Sequence, residues 1–166
     1  EKPLQVIGVG KVQSAGVRHG TIVDIDDVTK CITEAVEKAE KITGVPIEEC
    51  FVSIGGNHIT SKGSKGVIAV SRADGEISSE DVSRVIEAAS AISLPANREI
   101  IHLIPRSFAV DNQVSIKHPV GMSGVRLEVD ALMIEGGSPF IKNLNKCVTE
   151  AGININQQNS EKVVNY

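Results

Sequence analysis

"FVSIGGNHITSKGSKGVIAVSR", Phe51 to Arg72, joins two apolar runs through two clusters of glycine, serine and lysine. The glycines invite comparison with a phosphate-binding loop, which needs a helix N-terminus or a nest of backbone amides directly after a strand. The segment "NHITSKG" does not have the pattern of a helix, and neither it nor Gly8-Val9-Gly10 fits the P-loop or dinucleotide pattern. We therefore interpret Gly55 and Gly56 as a hinge where the chain passes from one lobe to another, because glycine adopts conformations that other residues avoid.

The composition indicates a globular chain without a nucleic-acid partner. Hydrophobic residues make up 41% of the 166 residues and aromatic residues only 2%, so the core must consist of Val, Ile, Leu and Ala. The net charge is −4, and no basic stripe with interleaved aromatic residues is present to bind a nucleic-acid backbone and stack bases. Cys31, Cys50 and Cys147 are far apart in the sequence, and we expect reduced core thiols in a cytosolic protein.

The first and last parts of the chain have an α/β pattern. We predict strands over residues 4–12, 21–25 and 50–54, the last of them buried on both faces because it is almost continuously apolar. Between the second and third strands, apolar residues recur at helical spacing after Asp26 or Asp27, and Gly44 ends that helix. A last helix begins with Ser138 as N-cap and ends at Gly152. The sequence after Ile155 is polar and has no clear period.

The middle of the chain has a different order, strand–helix–strand–strand. A glycine-rich turn after Thr60 leads into the strand "GVIAVS", and a helix follows with Ser78 as its N-cap. "REIIHLIPRSFAVD" predicts a long strand in which Pro105 suits an edge or a bulge. "VRLEVDALMI" alternates almost strictly, so that Val125, Leu127 and Val129 share one face. This block has the pattern of a compact unit inserted into the first α/β part.

The loop from Asp111 to Gly124 is the candidate docking surface. It combines polar residues with apolar ones, on what we predict to be a rigid sheet. The candidate partner-binding residues are Val114, Ile116, Lys117, His118 and Met122. The alternative, which the sequence leaves open, is a hairpin loop that packs on its own strands.

No catalytic or metal site is predicted. His102 lies between apolar residues of a strand, while the other three histidines fall in separate loops without a carboxylate or cysteine at ligand spacing. The acidic run Asp24 to Asp27 precedes an apolar-periodic helix, so helix capping explains it better than cation binding. Nothing assembles an acid–base pair, and we expect no enzymatic activity.

Five segments resemble, in order and spacing, the N-terminal half of the FtsA family of bacterial cell-division proteins, which belongs to the actin-like superfamily. The resemblance runs from about Gln5 to Gly152. The five segments are "GVRHGTIVDIDDV", "VSIGGNHITS", "GVIAVSRADGEISSEDV", "HLIPRSFAVDNQ" and "HPVGMSGVRLEV". Each segment is weak evidence alone, and the five together are specific.

The resemblance implies a partial actin-like, ribonuclease H-like lobe that carries an inserted strand–helix–strand–strand subdomain. On this basis residues 1–56 are the first part of the lobe, 57–135 the inserted subdomain, and 136–166 the return helix with a divergent tail. The family tethers filaments of FtsZ to the inner membrane, forms filaments of its own and recruits later division proteins, partly through the inserted subdomain. The implied location is the cytoplasmic face of the inner membrane at the division site.

Some features of the family are expected to lie outside this chain. Among these features are the family's two phosphate loops and its adenosine contacts. We therefore expect no cofactor in this chain, although the family binds ATP and Mg²⁺. The second lobe and the C-terminal amphipathic membrane helix are also expected elsewhere. Two alternatives stay open at this stage: an actin-like pilus-assembly protein of the PilM type, and a fragment of a nucleotide-binding enzyme.

Overall fold

The structure is a computed structural model that describes residues 5–71 and 74–155. Within these ranges no helix is sufficiently long and apolar to cross a membrane. The chain divides into two compact units. The flanking unit comprises Glu1–His58 and Gly137–Tyr166, and the inserted unit comprises Ile59–Gly136.

Three helices separate groups of one to three strands along the described chain. Their order is β1 (Val17–Arg18), β2 (Thr21–Ile22), α1 (Ile25–Thr43), β3 (Glu49–Cys50), β4 (Thr60–Ala69), α2 (Ser79–Ser90), β5 (Arg98–Val110), β6 (Gln113–Ile116), β7 (Arg126–Gly137), α3 (Ser138–Glu150) and β8 (Asn154–Ile155).

The inserted unit is a four-stranded sheet with one helix packed on it. The strand order is β4-β7-β5-β6, and β4 pairs antiparallel with β7 from Thr60↔Glu135 to Ala69↔Arg126. From Arg126 to Met133, alternate residues of β7 are buried, as the period of a strand with one face on the core demands. The buried core of this unit consists of Ile77, Val85, Ala89, Phe108, Val110, Leu127, Val129 and Ala131. The predicted α/β class with an inserted strand–helix–strand–strand block is confirmed.

Two details of the inserted unit correct the sequence prediction. Residues 113–116, predicted as loop, form the short strand β6, which pairs with the end of β5 at Phe108↔Ile116 and Val110↔Gln113. The predicted glycine-rich turn after Thr60 is instead the first half of β4. Pro105 lies in β5 ahead of the two β6 pairs, a position that suits a residue without a backbone N–H.

Helix α2 begins where the sequence predicts. Ser78 is the N-cap, and its hydroxyl accepts a hydrogen bond from the Asp81 amide at 3.2 Å. The Asp81 carboxylate in turn accepts from the Ser78 amide at 3.0 Å, so both halves of a capping box are formed.

The flanking unit consists of α1, α3 and short strands. The strands β1 and β2 form a hairpin, β3 pairs in parallel with β8, and α1 contacts α3. Gly44 ends α1 in the left-handed conformation, as predicted, but the N-cap is Asp24 rather than Asp26 or Asp27. The N-cap of α3 is Gly137 rather than Ser138, and its C-cap is Ala151, one residue before the predicted terminator.

The prediction of a first strand over residues 4–12 is wrong in its described part. Residues 5–12 make no ladder, and instead run along α1, where the Lys38 ammonium donates to the Lys11 carbonyl at 3.4 Å. A Cβ on Gly10 would lie 1.8 Å from the Ala35 carbonyl oxygen, so the glycine spacing reflects close approach to a helix. Among the residues that the structure describes, the predicted strand over residues 50–54 is paired at Cys50 alone, and Phe51 is 55% exposed rather than buried.

Candidate interaction segment and chain crossing

The segment from Asp111 to Gly124 begins at a side-chain clamp. Asp111 has a positive φ of 51°, and its carboxylate accepts hydrogen bonds from the amides of Val125 at 3.1 Å and Arg126 at 2.9 Å. Its own amide donates to the Arg126 carbonyl at 2.9 Å. Aspartate tolerates this conformation better than most residues, so one side chain closes the base of the segment.

The far part of the segment is held by backbone hydrogen bonds. The Ile77 amide donates to the Met122 carbonyl, and the Gly121 amide donates to the Ile77 carbonyl, both at 2.9 Å. The Gly124 amide donates to the Gly75 carbonyl at 3.0 Å. A loop fixed in this way at both ends presents its exposed side chains in a defined arrangement, which lowers the entropy that a partner must remove on binding.

The structure divides the five predicted partner-binding residues into two groups. Ile116 and Met122 pack against the core of the inserted unit, so for them the alternative of a segment packed on its own strands is correct. Val114 is 74% exposed, and Lys117 and His118 are also exposed. Of the five, only these last three have exposed side chains.

Two further exposed apolar residues are not among the five predicted partner-binding residues. Val120 is 56% exposed and Val125 is 74% exposed. Val125 directly precedes β7. The alternating sequence pattern predicts that it shares the core face with Leu127 and Val129. It lies one residue before the ladder begins, and its amide is bound by Asp111, so its side chain does not follow the pleat of the strand.

The predicted hinge glycines lie in the flanking unit, next to the tip of the β1–β2 hairpin. Gly56 has a φ of 122°, a region that L side chains rarely adopt, whereas Gly55 has no positive φ and open space around its Cα. A Cβ on Gly20, at the hairpin tip, would lie 2.8 Å from the Gly56 Cα. The two backbones are therefore in direct contact, a pairing across 36 residues that no local pattern indicates.

His58, the last residue of the first part of the flanking unit, makes a ring contact with α3. The rings of His58 and Phe140 are stacked, with centroids 4.5 Å apart and planes 13° from parallel. A Cβ on Gly137 would lie 2.6 Å from the Phe140 ring. His58, which the sequence placed in an isolated loop, thus has a packing role beside the first turn of α3.

The geometry after Gly56 does not form a phosphate cradle. The element that follows is the strand β4, not a helix whose N-terminal amides could bind an anion. Within residues 5–71 and 74–155, no group of three or more His, Cys, Asp or Glu side chains is arranged to hold a metal ion. Asp24 accepts from the Asp27 amide at 3.0 Å, the capping role predicted for this acidic run.

The three cysteines are free thiols, of which Cys147 is buried and the other two are partly buried. Burial raises the pKa of the Cys147 and Cys50 thiols above their ordinary value. Since the thiolate is the reactive and metal-binding form, this environment favours the predicted packing role.

Comparison with known proteins shows what this chain is similar to. Residues 56–135 match the model of the SHS2 domain inserted in FtsA. The cell division protein FtsA of Bacillus subtilis is 43% identical over 152 residues, which are 92% of this chain and 34% of that protein. FtsA of Borreliella burgdorferi is 41% identical over 93% of this chain and 37% of that protein. FtsA of Escherichia coli K12 is 31% identical over 93% of this chain and 36% of its own length.

A solved structure is similar in fold. It is a PilM-PilN type IV pilus biogenesis complex, with a TM-score of 0.52, 10% identity, and coverage of 87% of this chain and 36% of that one. This likeness supports the actin-like fold and nothing more. The chain spans about a third of the length of the curated relatives that it matches. The resemblance to FtsA is thereby confirmed: residues 56–135 match the SHS2 domain inserted in FtsA, and most of this chain is similar to about a third of the FtsA of several bacteria.

Proposed function

We propose that this chain is part of a cell-division scaffold that tethers FtsZ filaments to the inner membrane and recruits later division proteins. The likeness to FtsA supports a role in cell division. The complete protein then works at the cytoplasmic face of the membrane at the division site, binds ATP and Mg²⁺ with residues beyond this segment, and associates into filaments. Its role is to assemble other proteins rather than to catalyse a reaction.

Within this scaffold, we assign the docking of a partner to the segment 111–125. The observation that carries this assignment is the exposure of Val114, Val120 and Val125 on a segment that hydrogen bonds fix at both ends. Exposed apolar side chains held in place are typical of a binding surface, since a partner buries them without first having to order the loop. Lys117 and His118 supply the polar rim that such surfaces usually have.

The test is Val114→Asp in a complete FtsA-type protein that contains this segment. An apolar anchor lost from the centre of an interface costs roughly 1–3 kcal/mol, so affinity for one purified partner, FtsZ or a later division protein, should fall by about tenfold or more. Self-association by sedimentation is measured alongside. The matched control is Val67→Asp, since Val67 is an exposed valine on β4 of the same unit. If Val114→Asp stays folded and every affinity equals that of the control, the segment is not the docking surface.

We also propose that Gly55 and Gly56 form the hinge through which the chain leaves the flanking unit. The positive φ of Gly56 and the open space at Gly55 support this proposal. The domain boundaries at residues 56 and 135 remain predictions of the same kind.

A further inference from the structure

A buried carboxylate joins three strands where the chain enters and leaves the inserted unit. Glu135, near the end of β7, is only 5% exposed. One of its oxygens lies 2.8 Å from the Lys62 ammonium on β4, and the other lies 3.0 Å from Nε of Arg98, the first residue of β5. Each carboxylate oxygen therefore has its own cationic donor, and the two donors come from different strands.

Arg98 also forms hydrogen bonds with the ends of β4 and β7. One guanidinium nitrogen of Arg98 donates to the backbone carbonyl of Glu135 at 3.2 Å and also to the hydroxyl of Thr60. Thr60 and Glu135 are register partners at the end of the β4–β7 ladder. Ile59 directly precedes Thr60 and Gly136 directly follows Glu135, and these two are the first and last residues of the inserted unit. We call this cluster of Thr60, Lys62, Arg98 and Glu135 the root of the unit.

The root is distinct from the apolar core. The core residues contributed by β7 are Leu127, Val129 and Ala131, and α2 packs over them with Val85 and Ala89. None of the four root residues belongs to that cluster. The two regions are thus held by different forces, the core by apolar burial and the root by charge-assisted hydrogen bonds.

The energetics of a buried pair make the root a sensitive point. A buried carboxylate has lost much of its hydration, which costs free energy. The attraction of its two cations offsets this cost only while the geometry of the pairs is kept. The hydrogen bond from Lys62, with that from Arg98, holds the pKa of Glu135 below its ordinary value, although burial opposes this shift. Removal of the charge leaves two cations beside a neutral group, so they repel one another without compensation.

We propose that Glu135 is an ionic latch that closes the root, so that the ends of β4, β5 and β7 open together as a local step while the core stays folded. The latch fixes the two places at which the chain joins the inserted unit. Proteins open locally in cooperative units, and the free energy of such an opening is lower than the global free energy of unfolding.

The latch has a defined dependence on pH. Among the described residues, Lys62 on β4 and Arg98 on β5 are the charged groups that contact Glu135. Because the pKa of Glu135 is lowered in the folded state, its contribution is complete above the ordinary pKa of glutamate, about 4.3. It is lost as the pH falls through the folded-state value. The root should therefore open in acid.

The experiment is amide hydrogen exchange of this chain, measured peptide by peptide for Glu135→Gln. Peptides that cover 59–62, 98–100 and 132–136 should exchange at least about tenfold faster, which corresponds to about 1.4 kcal/mol. Peptides from α2 should keep their rates. The matched control is Glu128→Gln on the same strand, whose carboxylate also pairs with an arginine at 3.0 Å but lies at a more exposed position. It should leave all rates unchanged.

The outcomes separate the latch from a general stabilising role. Unchanged exchange at the root, or equal acceleration at the root and in α2, overturns the proposal. If Glu135→Gln does not fold, Lys62→Gln decides the question, since its side chain is 40% exposed and its loss removes one donor only. Faster exchange confined to the root peptides in Lys62→Gln supports the latch, and a uniform or absent change overturns it.

Discussion

Gly66 allows α2 to lie directly on β4, and its replacement by alanine should displace the helix. A Cβ at this position would be 2.1 Å from the Val85 carbonyl oxygen and 2.7 Å from the Ala89 amide nitrogen. Both are backbone atoms, which cannot move by rotation of a side chain. Ordinary contacts between heavy atoms are about 3.5 Å or longer, so α2 must withdraw by more than about 1 Å.

The cost follows from what this withdrawal breaks. Val85 and Ala89 are fully buried, and the hydroxyl of Ser64, which is also buried, donates to the Ala89 carbonyl at 2.6 Å. Overpacking costs roughly 1–3 kcal/mol, and a buried polar group left unsatisfied costs about 1–3 kcal/mol more. The change from glycine to alanine restrains the unfolded chain and returns about 0.4–1 kcal/mol. The free energy of unfolding of the inserted unit should fall by roughly 1–5 kcal/mol.

Denaturation by urea, followed by circular dichroism, measures this change, and an unaltered slope shows that the transition itself is the same. The control is Gly63→Ala in the same strand, because nothing lies within 4 Å of the Cβ at that position and its φ is not positive. We expect Gly63→Ala to change the free energy by less than about 1 kcal/mol, with the stabilising sign of a restrained unfolded chain. If Gly66→Ala is as stable as Gly63→Ala, close packing of α2 on β4 does not require glycine and the reasoning is refuted.

Two other substitutions test the hinge and the docking segment. Gly56→Val should destabilise the flanking unit by about 1–3 kcal/mol, because a β-branched side chain is strained at a φ of 122°. Gly55→Ala, the control, should be tolerated. Equal melting temperatures for the two variants would contradict the prediction. Ile116→Asp should lower the melting temperature of this chain, since Ile116 packs on the core and a buried charge without a partner is costly. Val114→Asp should leave the melting temperature unchanged. A fully stable Ile116→Asp variant would contradict the packing of Ile116 and favour its original assignment to the docking surface.

The helices were predictable because their signals are local. The apolar period of α1, the left-handed glycine at its end and the capping box of α2 each depend on residues within a few positions of one another. Where a boundary was missed, as at Asp24 and Gly137, the error was one to three residues. Errors of this size are expected because several polar residues near a helix start can serve as the cap.

The glycines of β4 could not be interpreted from the sequence because their reason is a tertiary contact. Glycine weakens a strand by its local propensity, and a stretch with Gly63 and Gly66 therefore predicts a turn. Gly66 lies where α2 crosses the strand, and only a residue without a Cβ fits there. The same limitation applies to Gly20 and Gly56, which are 36 residues apart and touch through their backbones.

The candidate site shows how one backbone angle decides which residues are exposed to solvent. Val114 and Ile116 are two positions apart on β6, and an ideal strand would place both side chains on the same face. Ser115 between them has a positive φ of 63°, and the register of β5 with β6 shifts between Phe108 and Val110. The alternation is interrupted there, so that Ile116 packs on the core while Val114 remains exposed. A sequence pattern contains no sign of this irregularity, since serine is uncommon at positive φ. The irregular strand thus anchors the segment through one apolar residue and presents the other to solvent, which is the arrangement that a docking surface on a folded domain requires.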